Sequence, residues 1–443
     1  MIFLICVILT FFFYGKGHKI PALFVFFFFV TACFNLIPEE WTEFLFISKG
    51  SDYALLILFG IIAIDTIEVK NYFKPDPLIK YVGLFWAFLL LLVLHSKIYV
   101  GLSWGEIIRV CRYQFFWLIY FVFRNMEKEQ LEKLLRYLFN VTVVCAILFI
   151  VQIFTGDNIL VTDSGGGRVN FFGMDFYRFY NYPSMLTFFV MMALYCNPYK
   201  GMWKTTTSVI LVTALLGGFH RSWIGFFALA IFVNHVMQRP RLQQIRIFVT
   251  TAIIGLFVMV FMGYKFVHSR TYTDIQLVMA GNFSSIDLDA LGDMSDLVEE
   301  QGTFFFRMGH LWERNQYLVE NPKAMLLGAG LIPEDSPKAN RFDFKIGLPD
   351  KDTGNTQQIL TPDISYSMLF IWFGYIGTAL NLLLFIYLMF FFYKNRDNRY
   401  GLFTFSYWIL LLGTSFFSYT LILPITYILP LMSYCIIKKM KEE

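Results

Sequence analysis

The sequence predicts an all-α polytopic membrane protein, and three observations carry that expectation. Of 443 residues, 57% are hydrophobic and only 15% are charged, against roughly a quarter charged in soluble domains. The apolar residues come in runs suited to a bilayer core of about 30 Å, which takes about 20 helical residues to cross. Basic residues collect in every second linker, the pattern that positive-inside topology leaves on a chain threading a membrane.

Taken in order, candidate spans fall near 2–14, 20–37, 52–68, 79–97, 106–123, 131–154, 182–197, 205–219, 221–236, 246–267, 363–393, 402–419 and 421–437. The first and last are short, so about 12–14 transmembrane helices are expected. The opening "MIFLICVILTFFFYGKGHK" lacks a basic n-region and a small-residue cleavage site and reads as a retained helix. The basic linkers run from Lys16 and Lys19 through Arg124 to Arg136, Lys200 and Lys204, Arg239 to Arg246, Lys394 to Arg399, and the tail's Lys438, Lys439 and Lys441. They alternate with acidic or nearly neutral linkers such as "PEEWTEFLFISKGSD". The basic set is expected on the cytoplasmic side, and the 219–222 turn outside.

Two outer loops are more than connectors. Residues 1–267 form a first block of transmembrane helices that contains the external loop 155–181. Residues 268–362 form an external, periplasmic loop holding 14 of the 32 acidic residues, with helices near 290–321, and 363–443 return as C-terminal spans and a cytoplasmic tail. "SDLVEEQGTFFFRMGHLWERNQYLVENP" has helical spacing and stops at Asn321-Pro322, and "LLGAGL" then makes a Gly-rich turn. The polar stretch 331–362 is expected to be irregular and mobile. The six cysteines stand singly in apolar segments and read as small core hydrophobes. A net charge of +4 does not suggest nucleic acid, and no metal is assigned to the triplets Asp287-Leu288-Asp289 and Asp350-Lys351-Asp352.

Topology accounts for cations on the inner side but not for those outside. Arg168, Arg178, Arg221, Arg307 and Arg314 belong to the outer set, and Arg109 and Arg112 sit inside an early span. In "LLGGFHRSWIGFFALAIF" Arg221 opens a span directly after a Gly-Gly turn. Arg307, His310 and Arg314 form one stripe of the external helix, with Glu313 and Glu320 available as partners. Arginines converging at headgroup depth suit a diphosphate, because a guanidinium stays charged and forks onto two phosphate oxygens. A snorkelling charge and a solvated helix face are the ordinary readings of the same residues. Asp363, just past Pro362, caps the returning helix or serves as a carboxylate able to accept a proton; the two roles are compatible.

Three separated pieces resemble one family. "LLGGFHRSWIGFFALAI" is similar to a motif in which a small-residue turn precedes Arg and a Gly-containing span. "FRMGHLWERNQYLVENPKAMLLGAG" is similar to an external pattern of Arg, aromatic-rich helix, Pro and Gly-X-Gly turn. "DISYSMLFIWFGYIGTALNLLLF" resembles a polar residue followed by Gly374 and Gly377. "GRVNFFGMDFYRFYNYP" resembles the preceding external segment. Together they resemble the O-antigen ligase and O-antigen polymerase superfamily of bacterial envelope glycosyltransferases, over roughly 165–393.

The resemblance implies a type-C glycosyltransferase-like fold in the bacterial inner membrane, with its active site facing the periplasm. It implies an inverting, metal-independent transferase without cofactors, whose donor and acceptor are undecaprenyl-diphosphate-linked glycans and whose possible partner is a polysaccharide chain-length regulator. Carried over by position, Arg221 and Arg307 would bind the diphosphate and stabilise it as it leaves. Arg314 and Arg168 would assist, Asp363 would be the base or orient the acceptor, and 331–362 would close over the site. His220, His310 and Tyr366 are secondary candidates. Ligases of the superfamily carry His where this chain has Asp363, which favours a polymerase over a ligase acting on lipid A core. A flippase for lipid-linked sugars is the rival from another class, and it would need charges spread through both leaflets.

Overall fold

The computed structural model describes residues 2–43, 49–68, 72–161, 164–171, 173–179, 182–240, 242–247, 250, 303–334, 336–342, 344, 346 and 364–443. Most of them are helical. In chain order the helices are α1 (Ile2–Gly15), α2 (Lys19–Val30), α3 (Gly50–Glu68), α4 (Pro77–His95), α5 (Trp104–Cys111), α6 (Ile119–Arg124), α7 (Lys128–Thr155), α8 (Leu186–Tyr195), α9 (Gly201–Gly217) and α10 (Arg221–Met237). They continue as α11 (Thr303–Glu320), α12 (Pro322–Leu327), α13 (Ser365–Lys394), α14 (Arg399–Thr414) and α15 (Ile425–Glu442). Among the described residues, four helices are long and apolar enough to cross a membrane: α3, α4 extended to Val100, α7 and α13. Shorter apolar helices are Phe3–Gly15, α2, α8 and α10. The expected span 246–267, the segments 268–302 and 347–362, both Asp-X-Asp triplets and Asp363 lie outside the described residues, apart from 246, 247 and 250.

Helix starts follow local chemistry. Asp76 accepts the Leu78 N–H at 2.9 Å ahead of Pro77, combining an N-cap side chain with proline at the first helical position. Ser103 and Glu106 form a reciprocal capping box on α5. Pro322 opens α12 directly after α11.

Alternating linkers gather at two ends of the bundle. At one end Arg124 donates to Lys74 O at 2.7 Å, Lys438 pairs with Asp76, and Lys128 pairs with Glu443. At the other, Val161 N–H donates to Asn35 O at 2.7 Å, Arg112 pairs with Asp52 at 2.8 Å, and Leu331 N–H donates to Ser96 Oγ at 2.9 Å. The core between them is aromatic. Trp117 stacks on Tyr427 at 4.3 Å with the rings 4° from parallel, Phe385 lies against both, and Phe188 meets Phe403 and Tyr407 edge-on. The short last span proves central, with every residue of α15 from Ile425 to Ile437 buried.

The structure adds detail to the expected helical architecture. β1 (Ser164–Phe171) and β2 (Met174–Phe179) form an antiparallel hairpin inside the 155–181 loop, with Asn170 opposite Asp175 and Phe171 opposite Met174. Its two-residue connection places Gly173 at φ +77°, a value that glycine adopts at no steric cost. The predicted span 106–123 is three pieces, α5, a 3₁₀ stretch Arg112–Leu118 and α6, because the Arg112–Asp52 pair and the stacked Trp117 hold the middle against neighbouring helices. Finally, the described part of 331–362 is irregular, with one 3₁₀ turn at Ala339–Arg341, but it is docked. Leu331, Ile332, Ser336, Ala339, Phe342, Phe344 and Ile346 are all buried.

That docking depends on a backbone crossing. Residues 326–330 pass over α13 where Gly374 breaks its helical path at φ +61°, ψ −169°. A Cβ on Gly374 would lie 2.6 Å from Gly328 N, and one on Gly328 would lie 2.4 Å from Trp372 O. Ala329 N–H donates to Ile371 O at 2.7 Å, and Trp372 Nε1 donates to Ile332 O at 2.8 Å. The two chains approach this closely because both positions lack side chains.

Candidate functional site

The α9–α10 turn is built by small residues and a tyrosine. Tyr182 fills the space over Gly218, where a Cβ would come within 2.4 Å of its ring, and its hydroxyl donates to Leu215 O at 2.9 Å. Phe219 then takes a left-handed φ of +52° and rests on Phe176 of the hairpin, with ring centroids 5.7 Å apart. His220 Nε2 donates to Phe179 O at 3.1 Å, which fixes its proton on that nitrogen, and the ring packs on Tyr182 at 4.9 Å. His220 therefore clamps the turn to the hairpin. Arg221, the first residue of α10, is exposed and makes no hydrogen bond or ion pair among the described residues. Arg168, on β1, is exposed and pairs with Asp175 at 2.6 Å.

The predicted α11 stripe separates into different roles. Arg307 is partly buried, with its guanidinium 5.7 Å from the centre of the Phe417 ring, within cation–π range. Arg314 is fully buried. It reaches Glu313 at 2.5 Å and Ile346 O at 2.7 Å, and its guanidinium stacks on Phe344 at 4.2 Å. Burial pulls its pKa down to about 9 against the opposing pull of Glu313, so it remains charged at neutral pH. This corrects the expected diphosphate role of Arg314: with no exposed surface, it ties 344–346 to α11. His310 is also fully buried, and among the described residues neither ring nitrogen has a hydrogen-bond partner. Burial first, then the charge of Arg314, pushes its imidazole well below the ordinary range. A buried, weakly basic ring does not suit the secondary base expected of it.

A segment that sequence reasoning overlooked joins the remaining pieces. Residues 415–418, "SFFS", follow α14. Phe417 lies under Arg307 and 6.1 Å from Phe226 of α10, the helix that Arg221 opens. Phe226 is held by Gly413, where a Cβ would sit 2.1 Å from its ring. Phe416 stacks on Tyr366 at 4.5 Å, and Ser415 Oγ donates to the Tyr366 hydroxyl at 3.1 Å. Ser365 N–H donates to Ser415 O, and Ser365 Oγ to Ser418 O. The starts of α10 and α13 and the first half of α11 thus converge on one short connection. Asp363 lies outside the described residues, but Ile364, which follows it, is fully buried. Two adjacent phenylalanines between serines, linking two apolar runs, were the available signal in the sequence.

Phe226 and Phe417 therefore link α10, the helix that Arg221 opens, to Arg307, while Arg314 and His310 are buried and Arg168 stays on the hairpin. No family model matches this chain, and no curated protein matches it.

Proposed function

We propose that this protein is a membrane-embedded glycosyltransferase that polymerises undecaprenyl-diphosphate-linked oligosaccharide repeats into an envelope polysaccharide on the outer face of the inner membrane. The observation that carries this reading is the convergence of the Arg221 helix, Arg307 and Tyr366 on Phe416 and Phe417. In the proposed reaction an acceptor hydroxyl oxygen attacks the anomeric carbon of the donor glycan. The bond from that carbon to the diphosphate breaks, its electron pair leaves on the diphosphate, and the hydroxyl proton passes to Asp363. Arg221 and Arg307 stabilise the charge that grows on the leaving group, the task at which preorganised cations are most effective.

Purified protein incubated with synthetic undecaprenyl-diphosphate oligosaccharide should yield higher oligomers. Arg221→Ala and Arg307→Ala should each lower the rate by about 10²–10³, the loss typical when one preorganised donor is removed. The Lys variants should recover part, since a point charge lacks the bidentate fork. Asp363→Asn should be inactive if the carboxylate is the base and tolerated if it only caps the helix. Normal polymer ladders from both alanine variants would reject the donor site, and transfer only to added lipid A core would make the protein a ligase.

A further inference from the structure

We propose that the end of α4 and the docked segment 323–341 form a second site, separate from Arg221 and Arg307, that binds the phosphate headgroup of a membrane lipid. The segment carries Lys323 and Arg341 on either side of a turn that docks on the end of α4, where His95 stands. Leu331 N–H bonds Ser96 Oγ, and Gly330 lies so close that a Cβ would be 2.9 Å from Val100. This brings the turn against the neighbour of His95. Arg341 Nη2 donates to Ala329 O at 2.6 Å in the same turn, and α12, which leads into it, carries Lys323.

Lys323 and Arg341 lie at the end of the bundle that carries the acidic linkers, so positive-inside topology does not account for them. Among the described residues neither Arg341 nor Lys323 forms an ion pair. Of the nearby acids among the described residues, Glu106 is held by Ser103 and Ser336, and Glu334 has a contact of its own. Arg341 has one edge on a carbonyl and its face on Phe342 at 4.8 Å, which fixes the fork in place without neutralising it.

The surroundings favour a lipid over a free anion. Leu94 and Ile98, four residues apart and 46% and 68% exposed, form an apolar strip beside His95. Trp104, 55% exposed, carries Lys97 over its ring at 5.4 Å. Exposed aromatics with cations beside them mark headgroup depth. A lipid would lay its chain along Leu94 and Ile98 and its phosphate against Arg341 and Lys323; inorganic phosphate would have no use for the strip.

Native mass spectrometry of the detergent-purified protein titrated with phosphatidylglycerol tests this, with diacylglycerol as the uncharged probe and inorganic phosphate as the soluble competitor. The variant Lys323→Gln/Arg341→Gln should bind phosphatidylglycerol at least about tenfold more weakly, because each cation near a membrane surface contributes about fivefold in attraction to an anionic lipid and two contribute about thirtyfold. Lys323→Gln alone, which removes no hydrogen bond, should show part of the loss with an unchanged thermal midpoint. Both losses should recur in the Arg221→Ala/Arg307→Ala background, which keeps the result independent of the proposed donor site. Equal affinity in the charge variants, equal binding of diacylglycerol, or displacement by inorganic phosphate at concentrations matching the lipid would each overturn the proposal.

Discussion

Replacing Gly374 with alanine tests the crossing that ties the outer segment to the membrane helices. At φ +61°, ψ −169° only glycine is comfortable, and holding another residue there costs about 1–3 kcal/mol. The new methyl would also sit 2.6 Å from Gly328 N and 2.8 Å from Leu326 C. Both are backbone atoms, so the 326–330 strand must move away. Its departure breaks the bonds from Ala329 N–H to Ile371 O and from Trp372 Nε1 to Ile332 O. Each is a buried donor, and leaving one unmade costs about 1–3 kcal/mol. The combined penalty is about 3–9 kcal/mol, a large share of a stability that for folded domains is about 5–15 kcal/mol. Gly83→Ala on α4 is the control. No atom lies within 4 Å of a Cβ there, so alanine should be neutral or stabilise by about 0.5–1 kcal/mol. Thermal midpoints in mild detergent, read by fluorescence-detected size exclusion, should fall by several degrees for Gly374→Ala and hold or rise for Gly83→Ala. Indistinguishable midpoints would refute the argument, because the two glycines differ only in backbone conformation and in what surrounds them. Since α11 reaches α13 partly through this crossing, Gly374→Ala should also disturb Arg307 and lose polymer.

Arg314→Ala should lower stability by about 3–5 kcal/mol, because it strands the nearly buried Glu313 carboxylate without its cation; an unchanged midpoint would return Arg314 to the ligand-binding candidates. Glu106, accepting from the Ser336 and Ser103 hydroxyls, is held down from 4.5 to about 2, chiefly by Ser336. A depressed carboxyl contributes stability in full above its unfolded pKa and loses it as pH falls through the folded one, so the loss should run from about pH 4.5 to about 2. Ser336→Ala should flatten the dependence of the thermal midpoint on pH across that window, and equal slopes would reject the linkage. The effect should be small, since Glu106 is largely solvated.

Arg307 and Arg314 show where legibility stopped. They lie seven residues apart on one helix face, with the same side chain and the same spacing argument. One rests partly exposed over Phe417 and the other is sealed under Phe344 and Ile346. Nothing local distinguishes them, because the difference lies in segments 110 and 32 residues away along the chain. His310 follows the same logic, being polar by sequence and interior by packing. The break in 106–123 likewise has no proline at its 3₁₀ stretch to announce it, and arises from Asp52 and Tyr427 pressing on its middle.

By itself the sequence determined a mostly helical chain with membrane-length apolar helices and linkers sorted between two ends. Hydropathy, caps and charge placement are local properties, and they act before any helix meets another. Only the tertiary structure decided that the described residues of 331–346 would dock, that a β-hairpin would clamp the Arg221 turn, and that residues 415–418 would join the three motif segments. Those outcomes depend on which distant side chains fill a given space, and close packing answers that question only when all the helices are in place.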